Sequence, residues 1–223
     1  MFTVTETWKA TYPGAVTGFL AIGNVTNPEH LPALDQQKDQ LEEQIRARFT
    51  TIEELRALDR LQVYRAYYKH FKKTFHIQMQ LESIAFKGKS IPRVAALVEA
   101  LFMAELKNHL LTSGHDLDVV QLPVSMDIAK GTERFVRING QEQQLKAGDM
   151  CLWDAQGVIA SVIYGPDERT QIVPGTRRVL FVVHAPPGIG QAAVGQHLQD
   201  IEAYVRLITP EAVTERFQVN GTD

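Results

Sequence analysis

The sequence holds one cysteine, Cys151, so it closes no disulfide within itself, as suits a reducing compartment. It has no run of about 18 uncharged apolar residues, so no membrane-spanning helix is expected. Residues Met1 to Ala10 lack both a basic start and an apolar stretch, which argues against a secretory leader. Neither sign of charge dominates: 23 Lys and Arg against 26 Asp and Glu leave a net charge of −3. That balance excludes a protein that coats nucleic acid by bulk charge. Repeats of solenoid period and low-complexity tracts are also missing. The cytoplasm is the expected compartment. What remains is an ordinary globular composition, 44% hydrophobic, long enough to bury about 70% of its unfolded surface.

Phe2 and Val4 alternate with threonines and predict a strand up to Trp8. Pro13-Gly14 marks a turn, and Ala15 to Ile22 reads as a second strand. Pro28 to Phe49 has a sparse helical face. Thr51 and Glu54 make a capping box, so one long helix is expected from Leu55 through Phe71. Ser90-Ile91-Pro92 predicts the opening of a further helix running past Leu106. After Gly114 come short apolar runs: Val119–Ile128, Phe135–Ile138, Met150–Trp153, Val158–Ile163 and Val179–Val183. Asn139-Gly140 between two of them is a hairpin signal, because both residues tolerate positive φ. A last helix is expected over Ile189–Ile208, then a polar tail. Segregated helices and strands predict an α+β fold, a mostly antiparallel sheet flanked by helices. The expected division is residues 1–60 packed on a main domain of 61–208, with a tail over 209–223.

Most motifs fail on context. Gly88-Lys89-Ser90 lacks the upstream glycine and strand of a phosphate loop. Gly188 to Ala193 spells a dinucleotide fingerprint, which requires a further strand ending in an acid; it supports a nucleotide-dependent oxidoreductase only weakly. His109, His115, Asp116 and Asp118 cluster in sequence, yet nothing completes a metal site; no metal and no cofactor are expected. Read alone, His115-Asp116-Leu117-Asp118 is a turn.

Charge is more informative. Between Arg60 and Arg93 stand eight basic residues, among them Arg65, Lys69, Lys72, Lys73, Lys87 and Lys89, against one acid, Glu82. Tyr64, Tyr67, Tyr68, Phe71, Phe75 and Phe86 are interleaved with them. Cations can hold phosphates and aromatics can stack on unpaired bases, so an RNA partner is one reading. A helix with an aromatic inner face and a solvated basic outer face is the other.

The ordered set Leu97-Val98-Glu99, His115-Asp116-Leu117-Asp118, Gly131-Thr132-Glu133-Arg134-Phe135, Asp149 to Asp154, Ala160 to Ile163, Glu168-Arg169-Thr170 and Thr176 to Phe181 resembles a known pattern. It is similar to the editing domain of the phenylalanyl-tRNA synthetase beta subunit, the B3/4 domain, and to its free-standing relatives. The resemblance covers roughly Tyr64 to Pro187. It implies an α+β fold with a pocket against the sheet, and binding of tRNA or aminoacyl-tRNA or of a small amino-acid-like ligand. It implies hydrolysis of a mischarged tRNA in trans, as an aminoacyl-tRNA deacylase.

By the same resemblance His115 matches a pocket histidine that positions water, and Trp153, Ser161, Thr170, Thr176 and Val182 surround the substrate. Backbone N–H groups over Ser161–Gly165 are the expected oxyanion donors. The glutamate that reads the tyrosine hydroxyl in synthetases falls on Val182, which accepts no hydrogen bond. A small residue is replaced by Trp153, and an asparagine by Phe102. A non-catalytic module for an amino-acid-like ligand is therefore the alternative.

Overall fold

A computed structural model describes residues 1–221 of the chain. Strand β1 (Phe2–Val4) stops where Thr5 caps helix α1 (Glu6–Thr11): its hydroxyl accepts the Trp8 N–H at 3.1 Å. That cap ends the expected strand short of Trp8. Strand β2 (Val16–Gly23) is buried at every position. Helices α2 (Pro32–Arg48), α3 (Ile52–Arg56), α4 (Asp59–His70) and α5 (His76–Lys87) follow. The capping box at Thr51 forms with both reciprocal hydrogen bonds. Its helix ends at Arg56, however, and α4 restarts at Asp59, so the single expected helix is two.

Helix α6 (Ala96–Asn108) starts later than Ser90-Ile91-Pro92 because distant acceptors fix its first turn. Ala96 N–H donates to Pro28 O and Leu97 N–H to Asn27 Oδ1, both at 2.9 Å, while Ile91 N–H is held by Glu42 at 2.7 Å. Strand β3 (Thr112–Asp116) was not expected; the predicted turn begins only after it, with Asp118 N–H on Asp116 Oδ1. Strand β4 (Val124–Ile128) is the second half of the expected Val119–Ile128 run, the first half being turn.

Strands β5 (Arg134–Val136) and β6 (Glu142–Gln144) form the hairpin around Asn139-Gly140, with Gly140 at φ 76°. Strands β7 (Met150–Asp154), β8 (Gly157–Ser161) and β9 (Gly165–Pro166) make an antiparallel meander. Strand β10 (Arg178–Ala185) leads to helix α7 (Gln191–Ile208) and strand β11 (Val213–Gly221). The segment expected as a polar tail is thus a sheet strand, paired along β2 from Val213 opposite Gly23 to Gly221 opposite Val16. Thr222 and Asp223 of that expected tail lie outside the described residues.

Two sheets carry the core. One has the order β1-β4-β7-β8-β9, the other β11-β2-β10-β3. All pairings are antiparallel except β1 with β4. Residues 1–60, expected to pack on a main domain, supply β1 to one sheet and β2 to the interior of the other. Phe19 of β2 stacks on Phe2 of β1 with ring centroids 5.4 Å apart, while Gly18 of β2 faces Val194 and Leu198 of α7. Successive residues of a strand point to opposite faces. The second sheet therefore lies between the first sheet and the helix layer, which explains a strand buried throughout.

The interior also holds titratable groups. Burial drives the imidazoles of His115, His184 and His197 down to about 3, and that of His109 to about 4. All four are neutral near pH 7. Burial works oppositely on acids: it raises Asp149 to about 6 and lifts Glu105 well above the carboxyl range.

Two predictions follow from packing and charge. A Cβ on residue 18 would sit 2.7 Å from Val194 Cγ1 and 2.9 Å from Leu198 Cδ1. Gly18→Ala should therefore destabilise the fold by about 1–3 kcal/mol in urea titration, through overpacking under α7. As pH falls below 6.5, unfolded histidines take protons that the four folded ones refuse, and stability is lost. Glu105 and Asp149 oppose this by holding protons in the folded state. Histidines outnumber them by two, so stability should fall by up to roughly 3 kcal/mol per pH unit between pH 6 and 4.5. Calorimetry should find a lower Tm at pH 5 than at pH 7; a higher one contradicts the assignment.

Candidate functional site

A cavity of about 250 Å³ lies along the outer edge of β3. Helix α6 contributes Leu101, Phe102 and Glu105; the β8–β9 segment contributes Ser161, Val162 and Pro166. The edge is open because of register. Leu117 N–H donates to Arg178 O at 2.8 Å and His184 N–H to Leu111 O at 3.0 Å, so odd residues of β3 bond to β10. Even residues turn outward. Thr112 N–H is taken by Glu105 Oε1 and Asp116 N–H by Thr170 O, each at 2.7 Å. Gly114 N–H, between them, meets no acceptor among the described residues. Glycine is required there: a Cβ would lie 2.8 Å from Ile172 Cδ1 and 3.1 Å from Leu101 Cδ1.

Behind the cavity runs a buried polar chain. His115 Nδ1 lies 2.7 Å from Thr170 Oγ1, whose hydroxyl is held by Asp167. His115 Nε2 lies 2.9 Å from Ser113 Oγ, and Ser113 Oγ lies 2.9 Å from His184 Nε2. Ser113 and His184 line the cavity; His115 does not. Both ring nitrogens of His115 are engaged and the residue is fully buried, so it reaches the cavity through Ser113.

The structure separates the other expected site residues. Ser161 lines the cavity and donates to Asp149. Thr170 belongs to the polar chain. Thr176 ties Asp116 at 2.7 Å, away from the cavity wall. Val182 is buried in β10 opposite Ser113 and does not line the cavity. Trp153 packs on a small second core and donates from Nε1 to Cys151 Sγ at 3.1 Å, so it neither fills nor reshapes the pocket. Three of the five expected oxyanion donors are spent: Val162 N–H on Met150 O, Ile163 N–H on Asp149 and Tyr164 N–H on Ser161 Oγ.

Sequence reasoning missed Gly114, Ser113, His184 and His76. A glycine between Ser113 and His115 breaks no pattern that sequence alone can read. His76 is exposed at the cavity wall, and only its sequence neighbours in the basic stretch hinted at it.

The basic residues divide as well. Arg65, Lys69 and Lys73 line one groove with Arg56, Thr74, Phe75 and Gln78. Arg56 is paired with Glu82 at 2.7 Å, whereas Arg65 and Lys69 have no acidic partner among the described residues. Lys72, Lys87, Lys89 and Arg93 do not line this groove, and Arg93 faces Asp35 at 3.4 Å. The interleaved aromatics are core: of the six, only Phe86 is exposed. They offer no stacking platform for bases. The groove and the cavity share no lining residue, but they are neighbours along the chain: Lys73, Thr74 and Phe75 line the groove and His76 lines the cavity.

The fingerprint over Gly188–Ala193 does open α7, and β11 follows that helix. Yet β2 lies between β10 and β11, and no acid stands at the C-terminal end of β11 among the described residues. Among the described residues, then, none supplies the ribose-binding carboxylate that the oxidoreductase reading requires. Among the described residues no group of three His, Cys, Asp or Glu is arranged for a metal ion, and no helix is long and apolar enough to cross a membrane.

No match is found among curated proteins. Among solved structures the chain is similar to an N-terminal fragment of the phenylalanyl-tRNA synthetase beta subunit from Pyrococcus horikoshii, with a TM-score of 0.51 and 13% identity. The match covers 97% of this chain and 54% of that fragment, so the chain spans about half its length. At that identity the likeness establishes the α+β fold. The model of the B3/4 domain matches residues 60–213, well over half of the sequence, and the chain therefore belongs to the B3/4 domain family.

Proposed function

We propose that this protein binds an aminoacyl ester, with the amino-acid side chain in the β3-edge cavity and the nucleic-acid end across the Arg65–Lys69–Lys73 groove. The observation that carries the reading is that the chain passes directly from a cationic groove, lined by Lys73, Thr74 and Phe75, to an apolar cavity, lined by His76. A charged tRNA end has this composition: an apolar or polar side chain joined through an ester to a phosphate-bearing strand. Gly114 N–H supplies a main-chain donor for the ester carbonyl at the junction. Glu105, protonated by burial, adds no charge that repels an anionic ligand or binds a cationic side chain.

Hydrolysis of the ester in trans is the activity that fits. Binding without turnover is the second reading. It is favoured by one observation: Ser161, Thr112 and Glu105 in the cavity wall are all tied into protein hydrogen bonds.

A panel of correctly and wrongly charged tRNAs tests both. Selective deacylation supports the enzyme; saturable binding without deacylation supports the module; neither outcome with any charged tRNA rejects the reading. Reversing Arg65, Lys69 and Lys73 together to Glu should weaken tRNA binding at least roughly tenfold. It should also lower the slope of log K against log salt by about 2, as three single-strand phosphate contacts are lost. An unchanged salt slope places the nucleic acid elsewhere.

A further inference from the structure

Ser113 is 5% exposed, lines the cavity, and touches two imidazoles. The direction of each hydrogen bond in its chain follows from counting protons. Asp167 as a carboxylate only accepts, so the one Thr170 hydroxyl proton points to it. Thr170 Oγ1 then accepts, and His115 Nδ1, at 2.7 Å, carries the ring proton. A neutral His115 presents a lone pair on Nε2, into which the Ser113 hydroxyl donates at 2.9 Å. Ser113 Oγ in turn accepts from His184 Nε2–H at 2.9 Å. That leaves His184 Nδ1 as a bare acceptor, in keeping with its having no partner among the described residues. The outcome is a hydroxyl aimed at an unprotonated imidazole nitrogen. The imidazole is itself oriented from behind by a hydroxyl anchored on a carboxylate. Nucleophile, base and orienting group stand in this relation in Ser-His-acid hydrolases.

We propose that Ser113 is a nucleophile toward acyl esters seated in the cavity, with His115 as its base. The proposal rests on the cavity being the substrate site, whatever alcohol leaves. Ser113 Oγ bonds to the carbonyl carbon as its proton passes to His115 Nε2. The carbonyl oxygen takes the negative charge, and Gly114 N–H is the free main-chain donor in the same wall. Collapse breaks the carbon–oxygen bond to the alcohol, which leaves with the proton from His115. Water then attacks the Ser113 ester with the same base, releasing the acid and restoring the hydroxyl. No oxidant, reductant or metal enters the balance. His184 Nε2–H steadies the developing alkoxide on Oγ. Thr170 and Asp167 are positioning residues. Because burial disfavours the protonated form of His115, and a threonine rather than a carboxylate stands behind the imidazole, both steps are slow.

The test uses the full chain with an alkyl fluorophosphonate and, separately, p-nitrophenyl butyrate. The expected result is a single phosphonyl adduct, with fluoride as leaving group, mapped to Ser113 by peptide mass spectrometry. Release of p-nitrophenol should fall roughly 100-fold or more in Ser113→Ala. Thr170→Val should lower kcat and Thr170→Ser restore it, since the hydroxyl orients His115. Should Ser113→Ala fail to fold by circular dichroism, adduct mapping on the unmodified chain decides alone. No adduct on Ser113, or unchanged hydrolysis in a folded Ser113→Ala, overturns the proposal. If deacylation of charged tRNA persists in that case, the aminoacyl reading stands with water as nucleophile. Labelling at Ser113 without tRNA deacylation keeps the serine and removes the tRNA.

Discussion

Strand β3 bonds to a neighbour on one side only, and the rest of the molecule is arranged around its other side. An open strand edge presents unpaired N–H and C=O groups, which proteins cover or pair. Here the cover is partial. Glu105 of α6 takes the Thr112 N–H at one end, and the Thr170 carbonyl takes the Asp116 N–H at the other. Between them the wall steps back, and the Gly114 N–H opens on the cavity. Tyr64 closes the end of the ladder: it accepts from Leu111 N–H at 2.9 Å and donates to His184 O at 2.7 Å. One hydroxyl thus fixes the positions of both strands that carry the site.

The same edge explains why so many polar groups are buried without charge. A strand reading Thr-Ser-Gly-His-Asp inside a core must find a partner for every side chain. Each does: Thr112 with His197, Ser113 with both His115 and His184, His115 with Thr170, Asp116 with Thr176. Burial keeps the imidazoles neutral, so they act as one donor and one acceptor each rather than as cations. The orientation of the whole chain is then set at its far end by a single carboxylate, Asp167. Apart from Asp167, which faces Arg169 at 3.7 Å, the hydroxyls and imidazoles of this chain are uncharged, so direction is held without a row of buried ion pairs.

Much of the fold could be read from the residues. The Thr51 capping box, the Asn139-Gly140 hairpin, α7 and the meander of β7 and β8 follow from local chemistry. What escaped was decided by tertiary partners. Helix α6 starts where Asn27 and Pro28 receive its first N–H groups, far away in sequence. Strand β11 looks polar because it is an edge strand with no fully buried position, and only pairing with β2 makes it a strand. Strand β3 is hidden because its side chains are polar yet buried, the reverse of the alternation that marks strands. The candidate site suffered from the same blindness. His115 was legible through its family resemblance, while the Ser113 and His184 contacts depend on register across β10, which no spacing reveals.

The tyrosines of α4 join this buried site to the basic surface. Tyr64, Tyr67 and Tyr68 point inward and anchor on His184 O, Asp149 and Val162 O respectively. Arg65 and Lys69 leave the same helix toward the groove. On a helix the two sets alternate within single turns. The helix is therefore pinned at three hydroxyls, to β10 and to the residues just before β7 and just after β8, and its cations inherit that rigidity. A ligand spanning groove and cavity meets both halves already held in place, so little conformational entropy is lost in aligning them. In the proposed function, this rigidity keeps groove and cavity in one arrangement for the ligand.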